Sequence, residues 1–312
     1  MAMPIAQAGA ANRRPFLRRP SVQREITGWL FSSPWVLGFL AFTAVPMGYS
    51  VWLAFQSWEI ITPPQWVGLA NFSQAFTDPL MWKSLGLTAV WCVVTIPLHM
   101  VLGLAVALLM NQRLRGIDYF RTVYYIPVVI PPVATGILWM WVLDPSFGVL
   151  NWFILHLTGQ PGPLWFADQG WALPGMMIMS LWGVGGGMVI YLAGLQGIPT
   201  ALYEAATIDG AGRWAKFWHV TIPMLSPVLF FNLIMSIIGA FQVFDIAFVT
   251  TQGGPNNATL FYMLYLYRNA FSWYKMGYAT ALAWILFFLV LGLSLVQFKL
   301  GKYWVFAAGV KL

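Results

Sequence analysis

The sequence contains few charged residues: Asp, Glu, Lys and Arg make up 8% of its 312 positions, whereas 60% are apolar. A soluble domain carries roughly 25% charged residues, so this chain has too few to cover a water-facing surface, and a soluble globular protein is excluded. Intrinsic disorder is excluded as well, because it requires low hydrophobicity. The single cysteine, Cys92, excludes a disulfide framework and a zinc site built on thiolates.

Long stretches without Asp, Glu, Lys or Arg predict membrane-spanning helices. Each has room for the ~20 residues that cross a bilayer core, where backbone polar groups must be bonded internally. We therefore predict an all-α polytopic membrane protein with six transmembrane helices, at 26–58, 84–112, 122–143, 169–203, 217–244 and 276–298. Two further charge-free stretches are predicted to be loops. These are 145–167, with at most one short helix, and 246–267, where a polar break ends the fifth span.

The basic residues indicate the direction of the chain, because Lys and Arg accumulate on the cytoplasmic side of membrane proteins. With the N-terminus inside, the outer segments hold only Lys83, Arg268 and Lys275, and the other basic residues are cytoplasmic. We therefore expect both termini in the cytoplasm, and we interpret the net charge of +7 as orienting the chain in a membrane, with no nucleic-acid partner. The predicted organisation is an N-terminal cytoplasmic tail, a six-helix transmembrane domain and a C-terminal cytoplasmic tail, at 1–25, 26–300 and 301–312.

The loop predicted between the fourth and fifth spans, residues 196–227, contains the pattern of two short helices. Thr200 suits an N-cap, and Gly210 suits the end of the first helix. A second helix, 213–220, is predicted to end where Pro223 breaks it.

The first of these helices carries one acid, Glu204, beside the small residues Ala205 and Ala206. A face of small residues lets another surface approach closely, which is typical of a segment that docks into a partner's groove. Helix physics leaves an alternative open, in which the loop lies on the membrane surface with Trp214 and Trp218 as anchors.

The loop resembles the EAA motif of the permease subunits of ATP-binding-cassette (ABC) importers: Glu-Ala-Ala, three residues, Gly, nine residues, Ile, one residue, Leu-Pro. The corresponding residues are Glu204, Ala205, Ala206, Gly210, Val220, Ile222 and Pro223, with two departures that keep the apolar character. Other stretches are similar to the carbohydrate-uptake branch of this family, its maltose-type and glycerol-3-phosphate-type permeases, and the likeness covers nearly all of 26–300. These stretches are 67–72, 120–127, 192–199, 241–245 and 253–255.

The resemblance implies a non-catalytic permease subunit that carries a sugar, polyol or sugar phosphate across the bacterial cytoplasmic (inner) membrane by alternating access. It implies that the loop is a coupling helix seated in a cleft of a separate ATPase. The residues assigned to this coupling are Glu204, Ala205, Ala206, Asp209, Gly210, Arg213 and Pro223.

The same resemblance implies the partners: two ABC ATPase subunits, a second permease subunit of different sequence and an extracytoplasmic solute-binding protein. The chain has no G-x-x-x-x-G-K-[ST] motif, so ATP and Mg²⁺ are expected on the ATPase, with no cofactor or metal in this chain.

Polar groups within the spans are candidates for the solute pathway, because burying them costs free energy. The candidates, from the stretches of spans four and five that line the cavity in relatives, are Gly183, Gly187, Ser236, Gly239, Gln242 and Asp245. Two alternatives stay open: the glycines allow close helix packing, and Asp245 reaches the outer interface or pairs within the bundle.

Two other functional classes compete with an importer subunit. A self-sufficient secondary transporter or channel needs ionisable groups within the spans, and the sequence offers Asp245 and His99, without a convincing internal repeat. A lone histidine of this kind is more often structural than a proton relay. An intramembrane enzyme lacks its motifs, since neither H-E-x-x-H nor G-x-S-x-G occurs.

Overall fold

The computed structural model describes residues 20–112 and 114–306, with side chains from residue 24 onward. The greater part of the predicted N-terminal tail and the last six residues of the C-terminal tail lie outside the described residues. The chain divides into two compact units, Met1–Trp52 and Leu53–Leu312.

The first unit contains a long apolar helix. Helix α1 (Pro20–Phe39) continues through a wider π-helical turn (Leu40–Ala44) into α2 (Val45–Ala54). The wider turn precedes Pro46, which has no N–H to donate and whose ring blocks the carbonyl one turn earlier. The apolar side chains of this long helix are mostly exposed, as expected of a surface that faces lipid. The helix ends before the predicted boundary at residue 58, because the chain turns into a short strand.

Among the described residues of the second unit, the regular secondary structure is helical apart from one two-residue antiparallel pairing, β1 (Gln56–Ser57) with β2 (Gln65–Trp66). A 3₁₀ turn occupies Leu181–Val184, and π-helical turns occupy Phe217–Thr221 and Arg268–Ser272. The helices are α3 (Ala70–Thr77), α4 (Pro79–Met110), α5 (Ile117–Val129), α6 (Pro132–Val142), α7 (Val149–Thr158), α8 (Ala172–Ser180), α9 (Gly185–Gln196), α10 (Thr200–Ile208), α11 (Arg213–Lys216), α12 (Ile222–Phe241), α13 (Asp245–Thr250), α14 (Tyr262–Tyr267) and α15 (Met276–Trp304).

Within the described residues, five helices are long and apolar enough to cross a membrane, and six spans result if the bent pair α5–α6 counts as one. The predicted third span, 122–143, is therefore not one straight helix, since α5 and α6 meet at 101°. The cause is local. Pro131 and Pro132 provide no N–H groups, and Ile130, which precedes them, is held in an extended conformation with ψ 129°.

The two predicted loops differ from each other. Residues 145–167 contain one short helix, α7, as predicted. Residues 246–267 contain most of α13 and all of α14, which the prediction of a loop missed. The turn between α13 and α14 has positive φ at Gln252, Gly253, Asn256 and Asn257.

The fifth span begins at Arg213, earlier than the predicted residue 217, because α11, the π-helical turn and α12 form one unbroken helix from Arg213 to Phe241. The prediction that Pro223 breaks the helix was wrong. The wider π-helical turn before Pro223 makes room for the proline ring, so the helix continues through it. The predicted N-cap was one residue off, since Pro199 occupies that position and Thr200 is the first residue of α10.

Two groups of buried apolar side chains hold the second unit together. The smaller group joins the end of α4, α9 and the start of α12, beside the loop 196–227; we call this the loop end. The larger group joins the first half of α4 to α12, α14 and α15, at the other end of the bundle; we call this the far end. Fully buried Tyr262 ties the larger group by donating from its hydroxyl to the carbonyl of Leu282 (2.9 Å).

Asp78 organises the far end. One carboxylate oxygen accepts the backbone N–H of Leu80 (2.9 Å) and so caps α4. The other accepts the hydroxyls of Tyr278 (2.6 Å) and Tyr265, which belong to α15 and α14. Partial burial raises the pKa of Asp78, but these hydrogen bonds outweigh it and hold the pKa below its ordinary value. Burial and the bond to Asp78 raise the pKa of Tyr265 to about 12, so it remains a donor.

Candidate functional site

The loop at residues 196–227 folds into an ordered elbow. Helix α10 ends just before Gly210, which has the left-handed conformation (φ 79°). The N–H of Gly210 donates a hydrogen bond to the carbonyl of Thr207 (3.0 Å). The N–H of Ala211 bonds the carbonyl of Ala206 (2.8 Å), which completes a Schellman motif. A residue with a Cβ would be disfavoured in this conformation at Gly210, just after the end of α10.

Side-chain hydrogen bonds hold the elbow against the long helix that follows. Tyr203 and Thr221 share a bond between their hydroxyl oxygens (3.0 Å). Lys216 donates from Nζ to the hydroxyl oxygen of Thr207 (2.7 Å), which links α11 to α10. The two short helices therefore have fixed positions relative to each other.

The predicted coupling residues lie on this elbow, and most of them are exposed. Pro223 is half-buried at the start of α12, and Ala206 is half-buried on α10. None of the charged members forms an ion pair with any described residue. The exposed members are Glu204, Ala205, Asp209, Gly210 and Arg213.

Large apolar side chains are exposed on the same elbow. Ile208, at the end of α10, is 87% exposed, and Trp214 and Trp218 on the following helix are 73% and 58% exposed. An ordered surface that combines apolar side chains with unpaired charges can bury both kinds of group against a partner or an interface.

A second site is a cavity of about 390 Å³ between α4, α12 and the start of α13. Four of the six residues predicted for the solute pathway line it: Ser236, Gly239, Gln242 and Asp245. They lie on both sides of a break between α12 and α13, where Gln242 leaves the helix and Asp245 starts the next one.

The two glycines predicted for the pathway are not among the residues that line this cavity. Gly183 lies in the 3₁₀ turn with open space where a Cβ would project, and Gly187 packs beside the ring of Tyr191. Their neighbour Gly185 is in close contact with the backbone of α5, since a Cβ there would meet the carbonyl oxygen of Tyr124 at 1.9 Å. At Gly185, glycine allows close helix packing.

Sequence reasoning did not assign Trp91, Thr95 or His99 of α4 to the solute pathway, although they line the cavity, and it weighed His99 only as a structural histidine or a proton relay. Their spacing of four residues places them on one face of a helix, and this signal was present in the sequence. It also missed Asn232, which accepts the hydroxyl of Ser236 at Oδ1 (3.1 Å) and whose Nδ2 atom is buried without a hydrogen-bond partner among the described residues.

Few charged side chains line the cavity. Asp245 is the one carboxylate among its lining residues, and none of them is Lys or Arg. The described residues also contain no group of three His, Cys, Asp or Glu side chains that could hold a metal ion. Much of the lining is apolar, and the polar groups of Ser236, Gln242 and Asp245 can form hydrogen bonds with a polar solute.

Residues 99–300 match the protein family described as "Binding-protein-dependent transport system inner membrane component". The probable ABC transporter permease protein YesP of Bacillus subtilis (strain 168) is 39% identical over 290 residues, which cover 91% of this chain and 94% of YesP. The trehalose/maltose transport system permease protein MalF of Thermococcus litoralis is 34% identical over 281 residues, covering 88% and 94%. The lactose transport system permease protein LacF of Rhizobium radiobacter is 34% identical over 290 residues, covering 90% and 96%.

The fold is similar to that of one chain in the crystal structure of a bacterial ABC transporter involved in the import of the acidic polysaccharide alginate. The TM-score is 0.79 at 22% sequence identity, and the match covers 91% of this chain and 97% of the other. A second structure of an alginate transporter, in complex with a periplasmic protein that holds an alginate pentasaccharide, gives a TM-score of 0.78 at 22% identity, covering 89% and 94%.

Proposed function

This chain belongs to the family of binding-protein-dependent transport system inner membrane components and is an ABC transporter permease subunit; from this premise we propose that it imports a sugar or a related polyol or sugar phosphate. Relatives named for trehalose, maltose and lactose transport support a carbohydrate solute. The proposed mechanism is alternating access, in which the solute cavity opens first to one side of the inner membrane and then to the other.

The elbow at residues 196–227 is the proposed contact with the ATPase. The observation that carries this assignment is the position of Glu204, which is exposed, unpaired among the described residues and fixed on an ordered short helix. A carboxylate in this setting is available for a basic residue of a partner, and exposed Ile208 provides apolar contact beside it.

The proposed complex contains two ABC ATPase subunits, which bind ATP and Mg²⁺, and a second permease chain of different sequence. An extracytoplasmic solute-binding protein delivers the solute, as the periplasmic protein in the alginate transporter structure suggests. In this arrangement the bent pair α5–α6 is the third of six spans, both termini are cytoplasmic, and the chain itself binds no cofactor.

The proposed solute site is the cavity between α4, α12 and α13. Ser236, Gln242 and Asp245 place a hydroxyl, a carboxamide and a carboxylate on its wall, and these are the groups that bind sugar hydroxyls. Gly239 has open space where a Cβ would project, which leaves room for a solute.

Replacing Glu204 tests the coupling assignment. The ATPase is copurified with the Glu204→Ala and Gly210→Pro variants, and solute-stimulated ATP turnover is measured. We expect copurification and solute-stimulated turnover to fall at least tenfold in both variants. For Glu204→Ala the reason is that truncating one side of a desolvated charge pair costs about 2–5 kcal/mol. Glu59→Ala, an exposed acid that precedes β2, is the matched control and should behave as wild type.

Three outcomes would contradict the coupling assignment. Normal copurification and turnover for Glu204→Ala and Gly210→Pro would remove it. A defect confined to Trp214→Ala and Trp218→Ala would instead favour an elbow anchored in the membrane surface. Uptake that persists without any ATPase would favour a self-sufficient transporter.

A further inference from the structure

His99 is a histidine of α4 that lines the cavity between α4, α12 and α13, together with Gln242 and Asp245. Its Nε2 atom lies 3.2 Å from the hydroxyl oxygen of Ser180, the last residue of α8. Only one side of the imidazole ring is therefore engaged by the protein within the described residues.

The hydrogen bonds around Ser180 favour one tautomer of His99. A serine hydroxyl has one proton, and the backbone carbonyl of Met177 lies in position to accept it from Ser180 (2.7 Å). With the proton on that side, the oxygen of Ser180 acts as the acceptor toward His99, which favours Nε2 as the donor. In a neutral imidazole the other nitrogen, Nδ1, is then an acceptor with a free lone pair.

No described residue donates a hydrogen bond to Nδ1, and Nδ1 is not among the buried polar atoms that lack a partner. The free acceptor thus belongs to a side chain that lines the cavity. The surroundings suit a neutral donor, since the lining residues include no Lys or Arg. A hydroxyl group of a solute is a donor of this kind.

We propose that His99 is a specificity-determining residue of the solute cavity, where its Nδ1 atom accepts a hydrogen bond from a solute hydroxyl while Ser180 positions the ring. This proposal rests on the proposed function, because it requires the cavity to hold a polyhydroxylated solute. It assigns a solute contact to α4, in addition to those proposed on α12 and α13.

Two conservative variants distinguish a solute contact from a purely structural role of His99, because the two roles predict opposite orders of severity for His99→Gln and His99→Asn. The carboxamide of Gln occupies about the position of Nε2 and can still bond Ser180, whereas the carboxamide of Asn lies near Nδ1 and offers an acceptor to the cavity. If His99 only ties α4 to α8, His99→Gln is the milder change. If His99 contacts solute, His99→Asn is the milder change.

The first test measures the tautomer and needs no solute. The chain has three histidines, so a permease complex in which only this chain carries ¹⁵N-histidine gives few signals, and loss of one in His99→Gln assigns it. We expect Nε2 of His99 to be protonated and Nδ1 to be unprotonated. A protonated Nδ1 in the neutral ring overturns the proposal.

The second test measures ATP-driven uptake in proteoliposomes that hold the complete importer, with maltose, lactose and sn-glycerol 3-phosphate as probes. For a transported probe, we expect His99→Gln to raise KM about three- to tenfold with little change in maximal rate, and His99→Asn to raise it less. Ser180→Ala should raise KM to a smaller extent. Thr280→Val removes a hydroxyl bonded within α15 and should leave KM unchanged.

The outcomes separate the two proposals. Equal effects of the two His99 variants, or a milder effect of His99→Gln, overturn the role of His99 while leaving the importer assignment intact. Uptake of none of the probes by the wild-type importer counts against the proposed solute class, and the tautomer measurement then still decides whether Nδ1 is a free acceptor.

Discussion

The two ends of the bundle use their carboxylates in different ways. At the far end, Asp78 is partly buried and accepts hydrogen bonds from Leu80, Tyr265 and Tyr278. At the loop end, Glu204 is exposed and has no ion-pair partner among the described residues. The difference indicates that the carboxylate of Asp78 is satisfied within this chain, whereas that of Glu204 is available to a partner.

The largest effect on folding is expected at the far end. Asp78→Ala removes the cap of α4 and leaves two tyrosine hydroxyls without their acceptor, so we expect the free energy of unfolding to fall by about 3 kcal/mol. Thermal unfolding of the detergent-solubilised chain measures this loss. Asp168→Ala is the matched control, because Asp168 is exposed and accepts only from nearby backbone N–H groups. Equal losses for the two variants would contradict the special role of Asp78.

A smaller effect is expected from pH, because the pKa of Asp78 is lowered in the folded chain. A lowered pKa contributes stability above the ordinary value of about 3.9, and this stability is lost as pH falls through the folded value. Unfolding temperatures recorded from pH 7 to pH 3 should therefore drop below about pH 4, and less so in Asp78→Asn. The same acid response in both proteins would assign it to other groups.

At the loop end, the backbone should matter more for stability than the charges. Gly210→Ala places a Cβ at a positive φ of 79° and should cost about 1 kcal/mol. Gly212→Ala is the matched control, since Gly212 has φ −71° and open space around the added atom. Thermal unfolding that cannot distinguish these variants would argue against an ordered elbow.

The smallest effect on folding is expected from Glu204→Gln. An exposed side chain without an ion-pair partner contributes little, so the free energy of unfolding should change by less than about 0.5 kcal/mol. The same variant should nevertheless weaken copurification of the ATPase. A folding defect of the size expected for Asp78→Ala would remove the contrast between the two ends.

The sequence was sufficient for features that depend on neighbouring residues. The spans follow from charge-free runs, and the end of α10 follows from Gly210 and its local turn. The bend of 101° at Ile130 could not be predicted, because two consecutive prolines indicate a disruption of the helix but not its angle.

Features that depend on distant residues could not be predicted. The Asp78 cluster joins positions that are 187 and 200 residues apart, and no local pattern links them. His99 and Ser180 also bond across 81 residues, and no local pattern links them. His99 was therefore expected to be a structural histidine. The direction of each side chain toward a shared cavity is set by helix packing and not by periodicity alone.

The unbroken helix from Arg213 to Phe241 has a geometric consequence for alternating access. At about 1.5 Å per residue, roughly 35 Å of helix separate Arg213 on the elbow from Ser236 on the cavity wall. Such a helix acts as a lever: a tilt of about 10° about one end moves the other by about 6 Å, which is about one helical turn. A small rotation imposed on the elbow is therefore enough to shift the cavity wall by the width of a sugar ring, with no hinge between them.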